Sequence, residues 1–465
     1  MEIYPMQDYG PAMKGMLIGG LGIFHVFLAQ FAIGGGFMMA YFQFLYQTDR
    51  LKSGRSFTDE YFRILVLISF VIGALTGVGM WFTSIQISPR TIGVMVQEFH
   101  WIWAIEWTYF CLEIASGYLF YRYGPRLGNG LRLQLLIVYA LAAWFSLFYI
   151  NGILSWQLTP GDWLEKHTVW SGFFNPTFFP SLIMRTVTSL ATSALVACLV
   201  INLSHYEPAV KRELIQKATN LLLPLALLLP TGVWFFSVIP EDSREWVMGG
   251  SIAMTLFMTL GLVCSVLIAA YAFVVLKWQK LTLNAGTATL LLSLAFLATA
   301  GAEFVREGVR KPYTIREYLY SNSLRQDELI RLRQTGLQNV DPYPVREKFE
   351  KHAEILTHGA KVFRFQCSIC HTRNGANGLV SLTQTWTDEQ IRLNVSQLQR
   401  TKAFMPPFAG NARDVEALTQ YLRYLRNPQT FEVSADSGRA DVLARINHWL
   451  EDVGTTPGIE LAKQH

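Results

Sequence analysis

A series of long apolar runs in residues 1–310 constrains this chain more than any other feature. About 20 apolar residues are enough to cross a hydrocarbon core of about 30 Å. In lipid every backbone N–H and C=O must be satisfied internally, which an α-helix does within its own segment. Eight such helices are predicted, over residues 15–46, 61–87, 96–122, 131–153, 177–203, 218–240, 249–276 and 286–308. The charged fraction agrees, at 16% against about 25% in an ordinary soluble domain. Pro224 and Pro230 should kink the sixth helix. Residues 1–14 lack a basic region followed by a short apolar core and a small-residue cleavage site, so the first helix is expected to be retained. No nucleic-acid motif or phosphate loop is present, and no nucleic-acid partner is expected.

From residue 311 onward the chain turns polar and charged and is interrupted by Pro, as a water-exposed region would be. Within it lies Cys367-Ser368-Ile369-Cys370-His371, the attachment pattern of a covalent c-type haem. The two thiols bond to the porphyrin edge and the adjacent His ligates iron. Met405, 38 residues after Cys367 in Ala403-Phe404-Met405-Pro406-Pro407-Phe408, offers a thioether as second axial ligand. A His/Met pair makes a low-spin, electron-carrying haem with a raised potential. The alternatives for such a Cys pair are a zinc half-site and a redox dithiol. The His directly after the second Cys, with no second Cys pair in the chain, weighs against both. Cys111, Cys198 and Cys264 lie in apolar segments and are expected to be small core residues.

The expected architecture is all-α, a polytopic membrane bundle of about eight helices followed by a class I-like cytochrome c domain. Its boundaries are a membrane domain at 1–310, a partly helical connector at 311–345, the haem domain at 346–430 and a helix with a tail at 431–465. Val415–Arg426 reads as the closing helix of the haem domain and Ala435–Leu450 as a further amphipathic one. Loop cations set the orientation. Arg50, Lys52 and Arg55, then Arg122, Arg126 and Arg132, then Lys211, Arg212 and Lys217, then Lys277 and Lys280 fall on alternate loops, whereas the other loops carry only Arg90, Lys166 and Arg244. Both termini are thus expected on the outer face of a bacterial cytoplasmic membrane, the side on which c-type haem is attached.

Ionisable residues within the spans are functional candidates, because burying them in hydrocarbon is costly. His25, about ten residues into the first helix, is a candidate haem ligand beside Gly19, Gly20 and Gly22 and before Gly34-Gly35-Gly36. Those glycines either let helices approach closely or leave room for a porphyrin face. Glu106 and Glu113 are seven apart on one face of the third span and suit ligation and proton handling. Glu98 and His100, near the outer surface, are expected to be solvated. The aromatic stretch 154–176 is expected at the outer interface. Arg185, deep in the fifth span, needs a carboxylate or a haem propionate as partner.

The membrane part resembles subunit I of the cytochrome bd quinol oxidase family at three places. These are Phe24-His25-Val26-Phe27, the Ala104-Ile105-Glu106 segment with Glu113 beyond it, and Glu307-Gly308-Val309-Arg310-Lys311-Pro312-Tyr313. The resemblance implies that His25 and Glu307 ligate haem, that Glu106 and Glu113 are functional carboxylates, and that one or two non-covalent haems of b or d type are held. It also implies a second, related membrane subunit. Two departures stand out. The family's long quinol-binding outer loop is reduced here to Pro240–Met248, and the family's low-spin haem ligand His is replaced by Arg185 before Thr186-Val187, although Met248 or Met254 matches the Met ligand of that haem.

The reading that joins these features is a bd-like oxidase subunit. Electrons from an outer-side cytochrome or other small carrier, or from quinol, would pass through haem c to the membrane haems and reduce dioxygen to water. A membrane electron-transfer and anchoring subunit without oxygen reduction, and a quinol:cytochrome c reductase, are the alternatives.

Overall fold

Apolar runs bounded by polar, Gly- and Pro-containing loops fold as helices throughout. The computed structural model describes residues 9–278 and 283–451; Lys280 and the tail beyond residue 451, with His465, lie outside the described residues. Among the described residues the longer helices of the first two thirds are α1 (Lys14–Gln47), α2 (Gly54–Ile87), α3 (Pro89–Glu98), α4 (His100–Tyr123), α5 (Asn129–Trp156), α6 (Phe178–Leu203), α7 (Pro208–Val238), α8 (Ile252–Trp278) and α9 (Ala285–Gly308). Seven of these, all but α3 and α4, are long and apolar enough to cross a membrane. The third predicted span is present as α4, a 24-residue helix. Its two carboxylates and its Trp and Tyr residues lower its mean hydropathy, so the count by length and composition is seven rather than eight. Pro224 acts as expected: Asn220–Leu227 tightens into a 3₁₀ stretch before α-helix resumes at Leu228.

The chain divides into two compact units. The larger comprises Gly20–Met80 and Met95–Val309. Its core joins α1, α2, α5 and α6 through Phe42, Tyr61, Leu65, Tyr139, Ala194 and Cys198. Gly34 and Gly36 decide the question their run posed. A Cβ on Gly34 would overlap the Ser189 carbonyl, and one on Gly36 would meet Ala140 and Tyr139, so these glycines are there for helix contact. Arg132, predicted as a loop cation, is instead 0% exposed. Its guanidinium bonds Asp59 (2.7 Å), Gln43 (3.2 Å) and the Gly124 carbonyl (2.7 Å), because an N–H fork left unpaired there would be costly. Cys198 and Cys264 are core residues as expected, but Cys111 is exposed on α4. The stretch 154–176 forms two short helices, Trp163–Lys166 and Val169–Phe173, with Trp163 buried against Trp156 rather than displayed.

The smaller unit comprises residues up to Gly19, Trp81–Val94, and Arg310 onward. Residues 311–345 hold a two-stranded antiparallel hairpin, β1 (Tyr313–Ile315) and β2 (Leu319–Tyr320), then α10 (Gln326–Thr335). Arg90 grips Glu328 with both guanidinium arms, at 2.6 and 2.8 Å. Next come α11 (Ala353–Val362), α12 (Asp388–Ser396), α13 (Ala412–Arg426) and α14 (Ala440–Glu451). Asn411 caps α13 by accepting from Arg413 and Asp414 N–H, which starts that helix three residues earlier than predicted. α11 crosses α13 at Gly359, where a side chain would overlap Ala417 and Tyr421. Leu329 and Leu332 of α10 and Ile446 of α14 join Phe363, Phe408 and Leu418 in one core.

Arg392, 1% exposed, is the electrostatic centre of this unit, bonding Glu416 (2.7 and 3.1 Å) and Asp436 (2.8 and 3.1 Å). Replacing it strands the buried Glu416 carboxylate, a loss of about 3–5 kcal/mol. Arg392→Leu is therefore expected to lower the melting temperature of this unit markedly, read by circular dichroism of the full chain in detergent. A melting curve unchanged from wild type would contradict this account.

Candidate haem sites

Phe363–Cys367 continues α11 as a widened turn that ends at the Cys pair. The turn then closes, with Cys370 and His371 N–H both bonding the Cys367 carbonyl, at 3.1 and 2.9 Å. Asn377, held at φ 53°, donates from its amide to the Cys370 carbonyl (2.8 Å), and its own carbonyl lies 3.0 Å from His371 Nδ1. A carbonyl can only accept, so Nδ1 carries the proton and Nε2 keeps its lone pair. That is the arrangement an iron-ligating imidazole requires. Burial pushes the His371 pKa down, which favours the same neutral form.

The competing readings of the Cys pair fare worse. A redox dithiol needs a thiol with a lowered pKa, whereas burial, followed by the neighbouring Cys370, pushes the Cys367 thiol up to about 12. Among the described residues no group of three or more His, Cys, Asp or Glu is placed to hold a metal ion. Met405 is half-buried, in a turn closed by its N–H to the Lys402 carbonyl (2.9 Å), beside the buried Phe408. Cys367, Cys370 and His371 fit the attachment of a covalent haem, with Met405 the second ligand expected from the sequence.

In the membrane unit His25 projects from α1 toward α2. Its Nδ1 lies 3.0 Å from Thr76 Oγ1, and that hydroxyl has the Ile72 and Gly73 carbonyls to donate to, both at 2.9 Å. The Gly73 backbone also bonds the ring, so Thr76 and Gly73 together hold His25 at the contact of α1 with α2. Gly77 keeps space beside the ring, since a Cβ there would stand 3.0 Å from His25 Cε1. Nothing in the sequence flagged Thr76, because its role arises from the pairing of two helices.

Glu106 and Glu113 face α5. Ser146 donates to Glu106 at 2.5 Å, and the buried Tyr139 hydroxyl approaches Glu113 without completing a well-formed hydrogen bond. Ser146 and Tyr139 are seven apart, as are the two carboxylates, so the antiparallel helices meet in register and line one seam. Glu98, expected to be solvated, accepts from Trp163 Nε1 at 3.0 Å, while His100 is exposed.

Arg185 pairs with a carboxylate, but with Glu303 (3.6 Å) rather than Glu307. Glu303 is also held by Arg306 at 2.8 Å. Glu307 is exposed on the last turn of α9. The sequence pattern drew attention to Glu307, yet Glu303, one turn earlier, is the carboxylate that α9 turns toward α6. Of the two Met candidates, Met248 is 73% exposed and Met254 packs its thioether against Gly308.

The fold is a multi-pass membrane helix bundle with a further helical unit, and its features are those of a bd-oxidase-like electron-transport protein with a cytochrome c-like region. Residues 18–238 match the family described as cytochrome bd terminal oxidase subunit I. Residues 354–422 match the family described as cytochrome c oxidase, cbb3-type, subunit III. The solved structure of bd oxidase from Geobacillus thermodenitrificans superimposes with a TM-score of 0.59 at 14% identity, covering 65% of this chain and 88% of that one. At that identity the likeness concerns the fold. No curated protein matches the chain.

Cys367→Ala and Cys370→Ala should each abolish covalent haem staining of the band. Thr76→Val should leave that staining intact and lower the non-covalent haem content, since losing such a partner typically weakens metal binding about 10–100-fold. Pyridine haemochrome analysis reads both outcomes at once, and a wild-type band without covalent haem would refute the c-haem site.

Proposed function

We propose that this chain is the catalytic subunit of a bd-like terminal oxidase that takes electrons from an outer-side cytochrome or similar small carrier. The observation that carries the reading is a pairing of gain and loss. A ligand-competent His371 stands in a c-type attachment loop, while Arg185, at the place of a family haem ligand, is committed to Glu303. An Arg guanidinium keeps its protons at every accessible pH and cannot ligate iron. Bound haem supplies one-electron relay at the c site and, in the membrane unit, the place where dioxygen is reduced to water.

The chain's own residues do the rest. His25, oriented by Thr76, and Glu307 and Glu106 are the ligand set for one or two b- or d-type haems. Glu113 and Glu106, seven residues apart along the α4–α5 seam, hold and pass the protons that oxygen reduction consumes. Ser146 and Tyr139 orient the two carboxylates. A second bd-like subunit completes the complex, and lipid surrounds both. With Pro240–Met248 too short to build the family's quinol loop, quinol is not the direct reductant in this reading.

Rapid mixing with a small reduced cytochrome tests this. Membrane haems should reduce at the normal rate in wild type and lose that rate in Cys367→Ala. Met405→Ala should lower the haem c potential with the haem still attached. Reduction that survives Cys367→Ala, or direct reduction by quinol, would defeat the proposal. A membrane part without a high-spin, carbon monoxide-binding haem would favour the electron-transfer and anchoring role.

Orientation has its own check. Accessibility tags at Gly54, Gly124 and Lys211 should report the cytoplasm, and tags at Gly161 and at His465 (the latter outside the described residues) the outer side. A cytoplasmic C-terminal tag would reverse the assigned side of electron entry.

A further inference from the structure

Residues just before and at the start of α1 fold onto the haem c attachment loop, within the smaller unit. The Ala376 N–H donates to the Pro11 carbonyl at 3.0 Å, and Gly375 lies so close to Pro11 that any side chain there would overlap it. Three residues on, Lys14 is only 4% exposed. Its Nζ lies 3.2 Å from Oγ of Ser368, the residue between Cys367 and Ile369, while the Ser368 hydroxyl donates to the Arg364 carbonyl at 2.6 Å. Ser368 therefore accepts, and the ammonium is held against the bridge between the two thioether positions.

A neutral donor could tie the strap to Ser368 without the cost of burying a charge. Placing an ammonium there has a further consequence, because oxidised haem carries one more positive charge than reduced haem. A nearby cation in a water-poor setting disfavours the oxidised form, and the effect falls only slowly with distance at low effective dielectric.

We propose that Lys14 is an electrostatic positioning residue for haem c. It latches the N-terminal strap to the attachment loop and raises the potential of the haem. A raised potential lets the domain draw electrons from a carrier of moderate potential and makes it a selective entry point. This rests on the haem c assignment, which covalent haem staining of the wild-type chain tests separately.

The experiment is a redox titration of the haem c absorbance in the full chain, purified in mild detergent. Lys14→Gln keeps a donor for Ser368 and removes the charge, whereas Lys14→Arg keeps both. The expected result for Lys14→Gln is about a tenfold weaker reduction equilibrium, a fall of about 59 mV for one electron, with Lys14→Arg at the wild-type potential. An unchanged potential in Lys14→Gln, or an equal fall in both variants, overturns the proposal. If Lys14→Gln carries no covalent haem, Lys14→Met, of similar length and uncharged, decides: a fall in potential supports the field and no change overturns it.

Discussion

An ionisable side chain set among membrane helices must be held by another group, because lipid offers it nothing. In this protein the helices are fastened where that demand is met. Arg132 joins α5 to α2 and α1 through Asp59 and Gln43, and Arg185 joins α6 to α9 through Glu303. His25 joins α1 to α2 through Thr76, and Glu106 joins α4 to α5 through Ser146. The apolar surfaces between these points fit any helix pair about equally well in a bilayer, where lipid tails are as apolar as the side chains. Polar pairs and small-residue contacts such as Gly34 on Ser189 are what make the arrangement specific.

The same groups divide into two kinds. Arg132 spends its donors on the protein, and Arg185 is ion-paired with Glu303. His371 faces the Asn377 carbonyl through Nδ1, His25 meets Thr76, Glu106 accepts from Ser146 and Glu113 lies beside Tyr139. These are the groups proposed above as ligands and proton carriers.

In the smaller unit the constraint is different. Its core closes by apolar burial around Phe363, Phe408 and Tyr421, and Arg392 supplies a deeply buried ion-pair centre. The attachment loop hangs from this core by the widened turn Phe363–Cys367, and Asn377 fixes the direction of the His371 ring. The N-terminal strap at Pro11 and Lys14 completes the surroundings of the loop from the far end of the sequence.

Features that depend on local chemistry were legible in the sequence. Helices followed from run length and apolar content, the break in regular α-helix from Pro224, and the tight turn at the Cys pair from a local run of residues. The common face of Glu106 and Glu113 followed from helical periodicity alone. Features that depend on which elements meet were not. Thr76, Ser146 and Tyr139 lie 51, 40 and 26 residues from the groups they face, and no local pattern ties such residues together. The choice of Glu303 over Glu307 turned on the rotation of α9 against α6, and the burial of Arg132 on the meeting of three helices. Lys14, at one end of the chain, meets Ser368 near the other for the same reason: tertiary packing, not sequence neighbourhood, decides which charge stands beside the haem loop.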